Sequence, residues 1–138
     1  MEHRRVEGSV TTLPLRVFLV EDSPILRERL TESFTVPGRI EVVGQADGEA
    51  VAVEALRRGD WEVLVLDLQL REGSGFGVLR ALNQGGRPAG AQVIVLTSYA
   101  NAYYRAKSEQ LGADHFFDKA RDHQRVFEVL EGLADDGV

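Results

Sequence analysis

Five times along this chain a short apolar run gives way to a segment of helical periodicity, and that alternation restricts the fold more than any other feature. The strand candidates are 16–20, 40–44, 63–67, 92–97 and a short 114–117. All are rich in Val, Ile, Leu and Phe, and three of them run continuously apolar instead of alternating. Continuous runs predict strands covered on both faces. "IEVVGQA" is more mixed and is the candidate for a sheet edge. Between the strands, Ser23 can cap a helix with Pro24 at its first position, where a missing N–H costs nothing. Leu26, Leu30 and Phe34 then fall on one face, and "VPG" at 36–38 ends the helix. Asp47-Gly48 opens a second helix with Val51, Ala52, Ala55 and Leu56 expected inward. Val78, Leu79 and Leu82 mark a third, closed by Gly85-Gly86. Ala102, Ala106, Gln110 and Leu111 give a fourth a thin apolar stripe, and Val126, Phe127, Val129, Leu130 and Leu133 mark a fifth.

Strands alternating with helices across short loops predict a parallel sheet with helices on both faces. Right-handed crossovers leave few topologies. Five such units point to an α/β, flavodoxin-like (βα)5 doubly wound sheet of strand order 2-1-3-4-5, whose ligands bind beyond the carboxyl ends of the strands. A length of 138 residues suits one domain. The expected organisation is a flexible tail over 1–14, the domain over 15–134, a polar tail over 135–138 within "EGLADDGV" and no output domain, either as a stand-alone unit, which the polar tail favours, or as a fragment of something longer.

Composition narrows the function. A net charge of −6 argues against direct nucleic-acid binding, which needs clustered Lys and Arg. The longest apolar runs, such as "VLVL" at 63–66, fall far short of the roughly 20 residues of a membrane span. No cysteine is present, so disulfides, zinc-thiolate sites and Cys nucleophiles are excluded. The basic residues in "MEHRRVEGSV" are not followed by an apolar stretch and do not make a secretory signal. A cytoplasmic location is expected.

The strand ends hold the chemistry. Strand one ends in Glu21-Asp22, strand three in Asp67, strand four in Thr97-Ser98, and "FFDKA" delivers Lys119 after strand five. In the order 2-1-3-4-5, strands one and three are neighbours about 5 Å apart. Three carboxylates are therefore expected in one pocket, with a hydroxyl and an ammonium at its rim. Crowded carboxylates raise one another's pKa, a conflict that a divalent cation removes. The ligands on offer are all oxygens, which selects a hard metal, and Mg²⁺ fits best because it takes one or two carboxylates and keeps waters and a phosphate oxygen. Such a site invites phosphoryl transfer, with Asp67 as nucleophile and Lys119 neutralising the group in flight. Thr97 would donate a hydrogen bond to the product.

The stretches "VFLVEDSPILRERL", "VLVLDLQLREGSGFGVL", "VIVLTSYA" and "GADHFFDKA", in this order and each at a strand end, resemble the receiver domain of two-component response regulators over roughly 15–133. The resemblance implies Asp67 as phosphoacceptor, Glu21 and Asp22 as the acidic pair serving Mg²⁺, and Gln69 as the residue offering a backbone carbonyl to the metal. It implies Thr97 as the hydroxyl that moves toward the phosphoryl group, Lys119 as the lysine that pairs with it, and Phe116 as the switching aromatic. A sensor histidine kinase or a histidine phosphotransfer protein would supply the phosphoryl group, and the acyl phosphate would also hydrolyse by itself. The output surface would be helix four, strand five and helix five, read by a protein partner or a second copy. Two departures stand out: Ala120 follows the lysine where the family often has Pro, and "LREGSG" replaces the commoner "LPxxxG".

Rival readings are weaker. An aspartate-nucleophile phosphatase wants a second acid two residues on, where this chain has Gln69. A flavin or nucleotide carrier wants a Gly- or Ser-rich first loop, and "EDSP" would repel phosphate. A receiver-like interaction module not controlled by phosphorylation is the remaining alternative. Taken singly, Glu21, Asp22 and Asp67 are also compatible with solvated loop acids, and Thr97 and Ser98 with turn-bonding hydroxyls. Trp61 is expected to cover an edge of the core, and Tyr99, Tyr103 and Tyr104 to pack amphipathically on helix four. His3, His115 and His123 lack metal spacing.

Overall fold

The structure is a computed structural model that describes residues 13–136. Most of the two expected tails, at 1–12 and 137–138, lies outside the described residues. The elements alternate throughout: β1 (Leu15–Val20), α1 (Pro24–Phe34), β2 (Ile40–Ala46), α2 (Glu49–Leu56), β3 (Val63–Leu66), α3 (Gly75–Gln84), β4 (Gln92–Thr97), α4 (Ala102–Gln110), β5 (His115–Asp118) and α5 (His123–Asp135). The five strands form one parallel sheet of order β2-β1-β3-β4-β5. This is the flavodoxin-like order read from the sequence.

The side-chain alternation of each strand feeds two cores. Phe18, Leu64, Leu66, Val93 and Val95 face one side, covered by Ala52 and Leu56 of α2 and Phe76, Val78, Leu79 and Leu82 of α3. Val17, Leu19, Val63, Val65, Ile94 and Leu96 face the other, covered by Leu30 and Phe34 of α1 and Val126, Leu130 and Ala134 of α5. The central strands are thus buried on both faces, as their continuous apolar composition requires. β2 alternates between buried and exposed positions and lies at the sheet edge. Trp61 is buried on the α2–α3 side, and its indole N–H donates to the Leu56 carbonyl at 2.9 Å.

Helix boundaries follow their caps. The Ser23 hydroxyl accepts Leu26 N–H ahead of Pro24, Ser74 accepts Gly77 N–H, and Asn101 accepts Tyr104 N–H. Several expectations need correction. Val51 is exposed, because α2 is rotated to bury Ala52 and Leu56. Ala102, Ala106 and Gln110 of α4 face outward; of the expected stripe Leu111 alone packs inward, and it does so beside Tyr104 and Ser108. With little apolar content, periodicity could not fix the rotation of α4. β5 ends at Asp118, one residue later than expected, and β2 extends to Ala46. α5 runs to Asp135 and buries Ala134, so the helix extends one residue into the tail expected over 135–138.

Candidate functional site: an acidic pocket at the carboxyl edge of the sheet

Backbone pairing brings the chemistry together. Glu21 N–H donates to the Ala46 carbonyl at 3.0 Å, which carries β1–β2 pairing one step beyond β1. Asp67 N–H donates to the Val20 carbonyl at 3.0 Å, so the Asp67 backbone sits against the end of β1. Leu66 is in register with Val95, which places Asp67 and Thr97 at the same edge of neighbouring strands. Lys119 N–H donates to the Thr97 carbonyl at 2.9 Å, extending β4–β5 pairing to the lysine.

Carboxylate oxygens of Glu21, Asp22 and Asp67 lie within 4.8 Å of one another, and this group could hold a metal ion. Glu21 and Asp67 are buried, while Asp22 is half-buried. An oxygen-only set of three acids suits a hard dication such as Mg²⁺. Asp67 Oδ1 accepts Gln69 N–H at 3.2 Å. The Gln69 side chain is exposed.

The ammonium of Lys119 is not at the rim, where it was expected. Its Nζ lies 2.8 Å from Asp67 Oδ2 and 2.9 Å from Glu21 Oε1, with only 14% of the side chain exposed. The second Glu21 oxygen accepts Ser23 N–H at 3.0 Å. Arg27 holds the same turn by donating to the Glu21 carbonyl at 2.7 Å. Sequence reasoning missed Arg27, whose place on the first turns of α1 beside two acids was the available signal.

The charges do not balance. Burial pushes the Glu21 and Asp67 carboxyls above their ordinary values, and the hydrogen bonds to Lys119 only partly offset it. For Lys119, burial opposes the charge, but the hydrogen bonds to Asp67 and Glu21 outweigh it and raise the ammonium's pKa. The two directions are consistent, because one cation has two partners and each acid has a share of one cation.

Thr97 is buried, and its hydroxyl oxygen accepts Tyr99 N–H at 3.1 Å. Phe116 is buried in the core on the α2–α3–α4 side of the sheet, with the Arg105 guanidinium 4.8 Å from its ring centroid. The tyrosines divide: Tyr104 packs on Phe76, whereas Tyr99 and Tyr103 are exposed. His115 stacks on Phe117 and His123 is exposed. His3 lies outside the described residues.

A pocket of three acids and a lysine at the carboxyl edge of this sheet defines a class, and comparison with known proteins gives the same class. The family model described as the response regulator receiver domain matches residues 17–131. The chain belongs to that family, the receiver domains of two-component response regulators. It is 32% identical over 122 residues to the nitrate/nitrite response regulator protein NarP of Escherichia coli, covering 88% of this chain and 55% of that one. It is 30% identical over 127 residues to a protein-glutamate methylesterase/protein-glutamine glutaminase of Koribacter versatilis, covering 91% of this chain and 34% of that one. The chain therefore spans about half or less of these relatives. Among solved structures, a LuxR-family two-component response regulator from Aurantimonas superposes with a TM-score of 0.78 at 23% identity, covering 89% of this chain and 86% of that one. A response regulator from Burkholderia pseudomallei, solved with a phosphorylated aspartic acid and a calcium ion, superposes with a TM-score of 0.73 at 21% identity, covering 88% and 69%.

Receiver domains take part in phosphorylation-dependent signalling, with kinases or phosphotransfer proteins as partners, and typically use Mg²⁺ at an acidic pocket. No helix among the described residues is long and apolar enough to cross a membrane.

Proposed function

We propose that the protein accepts a phosphoryl group on Asp67 from the phosphohistidine of a sensor kinase or phosphotransfer protein. An Asp67 carboxylate oxygen forms the O–P bond as the donor's N–P bond breaks, and the imidazole leaves as its neutral form after taking up a proton. The observation that carries this reading is the Lys119 ammonium 2.8 Å from Asp67, with two further carboxylates in the same pocket. A buried ammonium there meets the charge that develops on the equatorial phosphoryl oxygens. Glu21, Asp22, Asp67 and the Gln69 carbonyl are assigned to Mg²⁺. When bound, the ion supplies charge neutralisation for the acids and the phosphoryl group. Hydrolysis of the acyl phosphate resets the switch.

The output follows from the same geometry. A phosphoryl group adds about −1.5 to −2 charges. Thr97 turns its hydroxyl toward that charge, giving up the Tyr99 amide, and Phe116, which is already buried on that side of the sheet and so need not turn inward, repacks beside β4. The surface built from α4, β5 and α5 changes with it. It carries an open groove of about 540 Å³ that includes Arg105, Phe116, Phe117 and Arg125, and a protein partner or second copy would read it. A shift from 1:99 to 99:1 needs about 5.5 kcal/mol of differential stabilisation.

The test supplies Mg²⁺ and a small phosphodonor and weighs the intact protein. Wild type gains one phosphoryl group, and Asp67→Asn gains none. A wild type that stays unmodified, or an Asn variant that is modified equally, removes the reading.

A further inference from the structure

The loop after Asp67 is fastened to the start of α2 by two carboxylates that exchange places. Glu72 Oε1 accepts Ala50 N–H at 3.1 Å, and the Glu72 carbonyl accepts Glu49 N–H at 2.9 Å. In return, Glu49 Oε1 accepts Ser74 N–H at 3.0 Å. Arg71 N–H adds a bond to the Asp47 carbonyl at 3.3 Å. The cap residue of α2 is Gly48, which has no side chain to offer, so Glu72 does that work from the loop. α3 has its own cap in Ser74, and Glu49 adds a negative charge at the same end. Helix N-termini carry unpaired N–H groups and partial positive charge, so each acid stands where it is favoured.

Two glycines are explained by this exchange. A Cβ at Gly77 would overlap the Glu49 carboxylate, and so would one at Gly73, which also sits at φ +71. The fastened loop presses on the pocket. Gly75 N–H donates to the Leu68 carbonyl at 3.0 Å, a Cβ at Gly75 would overlap the Asp67 carbonyl, and Gln69 bridges to Ser74. Gln69 in turn donates its N–H to Asp67 Oδ1.

We propose that Glu49 and Glu72 are positioning residues: by clamping 71–74 to the N-terminus of α2, they hold Gln69 and the Asp67 backbone in place, and so make α2 part of the support of the metal and phosphoryl pocket. The inference rests on the function proposed above for that pocket, but its local part does not require any phosphoryl chemistry.

The experiment compares Glu49→Ala and Glu49→Gln with wild type in two ways. Amide hydrogen exchange is followed at Gly75 in the loop and at Val65 in the core, and Mg²⁺ is titrated while the Gln69 amide resonance is watched. In Glu49→Ala, exchange at Gly75 should quicken about ten-fold relative to any change at Val65, and Mg²⁺ should bind several-fold more weakly. Glu49→Gln keeps an acceptor oxygen and should stay within about two-fold of wild type on both measures. Glu72→Ala should give the same contrast from the other half of the exchange. The proposal is overturned if Glu49→Ala leaves both Gly75 and Mg²⁺ unaffected, or if Gly75 and Val65 quicken equally and Gln does no better than Ala. A wild type that takes up neither Mg²⁺ nor phosphoryl sinks the function, and the exchange contrast still decides the clamp.

Discussion

Helices α3 and α4 are neighbours over the same face of the sheet, yet they are held in different ways. α3 buries Phe76, Val78, Leu79 and Leu82 along its length. The buried residue of α4 is Ser108, whose hydroxyl has no hydrogen-bond partner among the described residues. What α4 has instead is a set of contacts concentrated at one end. The Leu111 carbonyl accepts the Asn83 amide at 3.0 Å, and the Gly112 carbonyl accepts the Arg87 guanidinium at 2.9 Å. Its other end rests on the Asn101 cap and on Tyr104 against Phe76, with ring centroids 5.6 Å apart. One helix is anchored by apolar burial and the other by directional bonds near its carboxyl end. Elements with few buried apolar contacts open most readily. The loosely anchored helix follows directly after Thr97, where the proposed switch needs something that can move.

The largest expected effect tests that contrast directly. Leu79→Ala should lower stability by about 3 kcal/mol in denaturant unfolding, since it opens a cavity in a packed core. Tyr103→Ala on α4 should change it by no more than about 0.5 kcal/mol, because Tyr103 is exposed. Comparable losses would break the comparison.

Next in size is the pocket at the N-terminal end of α3. Because the Asp67 and Glu21 carboxyls are raised, the folded state binds more protons than the unfolded state above the ordinary carboxylate range. Their contribution therefore falls as pH rises through that window and stays lower above it. Lys119 works at the other end of the scale: its contribution is present below 10.5 and is lost as pH rises through its higher folded value. With a chelator present, Asp67→Asn should raise the melting temperature at pH 7, by about 1 kcal/mol of stability, and this gain should shrink as pH falls toward about 4. A gain that does not depend on pH would mean that the buried charge is not its source.

The smallest effect belongs to Ser108→Ala. Removing a buried hydroxyl that lacks a partner should leave stability unchanged or raise it by about 0.5–1 kcal/mol, with slower hydrogen exchange confined to α4. A clear loss of stability would show that the α4 interface is already satisfied.

Much of the fold could be read in advance because burial leaves a local trace. β3 and β4 are continuous apolar runs and lie inside the sheet, whereas "IEVVGQA" is mixed and lies at its edge. Ser23-Pro24 marked the start of α1 through backbone chemistry that acts within a few residues. α4 was misread because its sequence contains too few apolar residues to define an inward face, so packing against Phe76 and the Phe116 region set its rotation. The acids and the lysine were legible as a group, since each follows a strand. The exchange between Glu49 and Glu72 was not, because nothing local distinguishes these two acids from solvated ones.

By itself, then, the sequence determined the order of the strands, their two-sided burial and the placing of Glu21, Asp22, Asp67, Thr97 and Lys119 at one edge of the sheet. The burial follows from periodicity, the order from right-handed crossovers between five βα units, and the placing of the residues from the rule that a strand delivers the residues at its end to one edge of the sheet. The tertiary structure alone decided that Lys119 lies between Asp67 and Glu21, that α4 presents Ser108 inward, and that the loop after Asp67 is tied to α2. Each of those depends on groups distant in sequence (52 residues for Lys119 and Asp67), whose separation is fixed only once helices and strands have settled against one another.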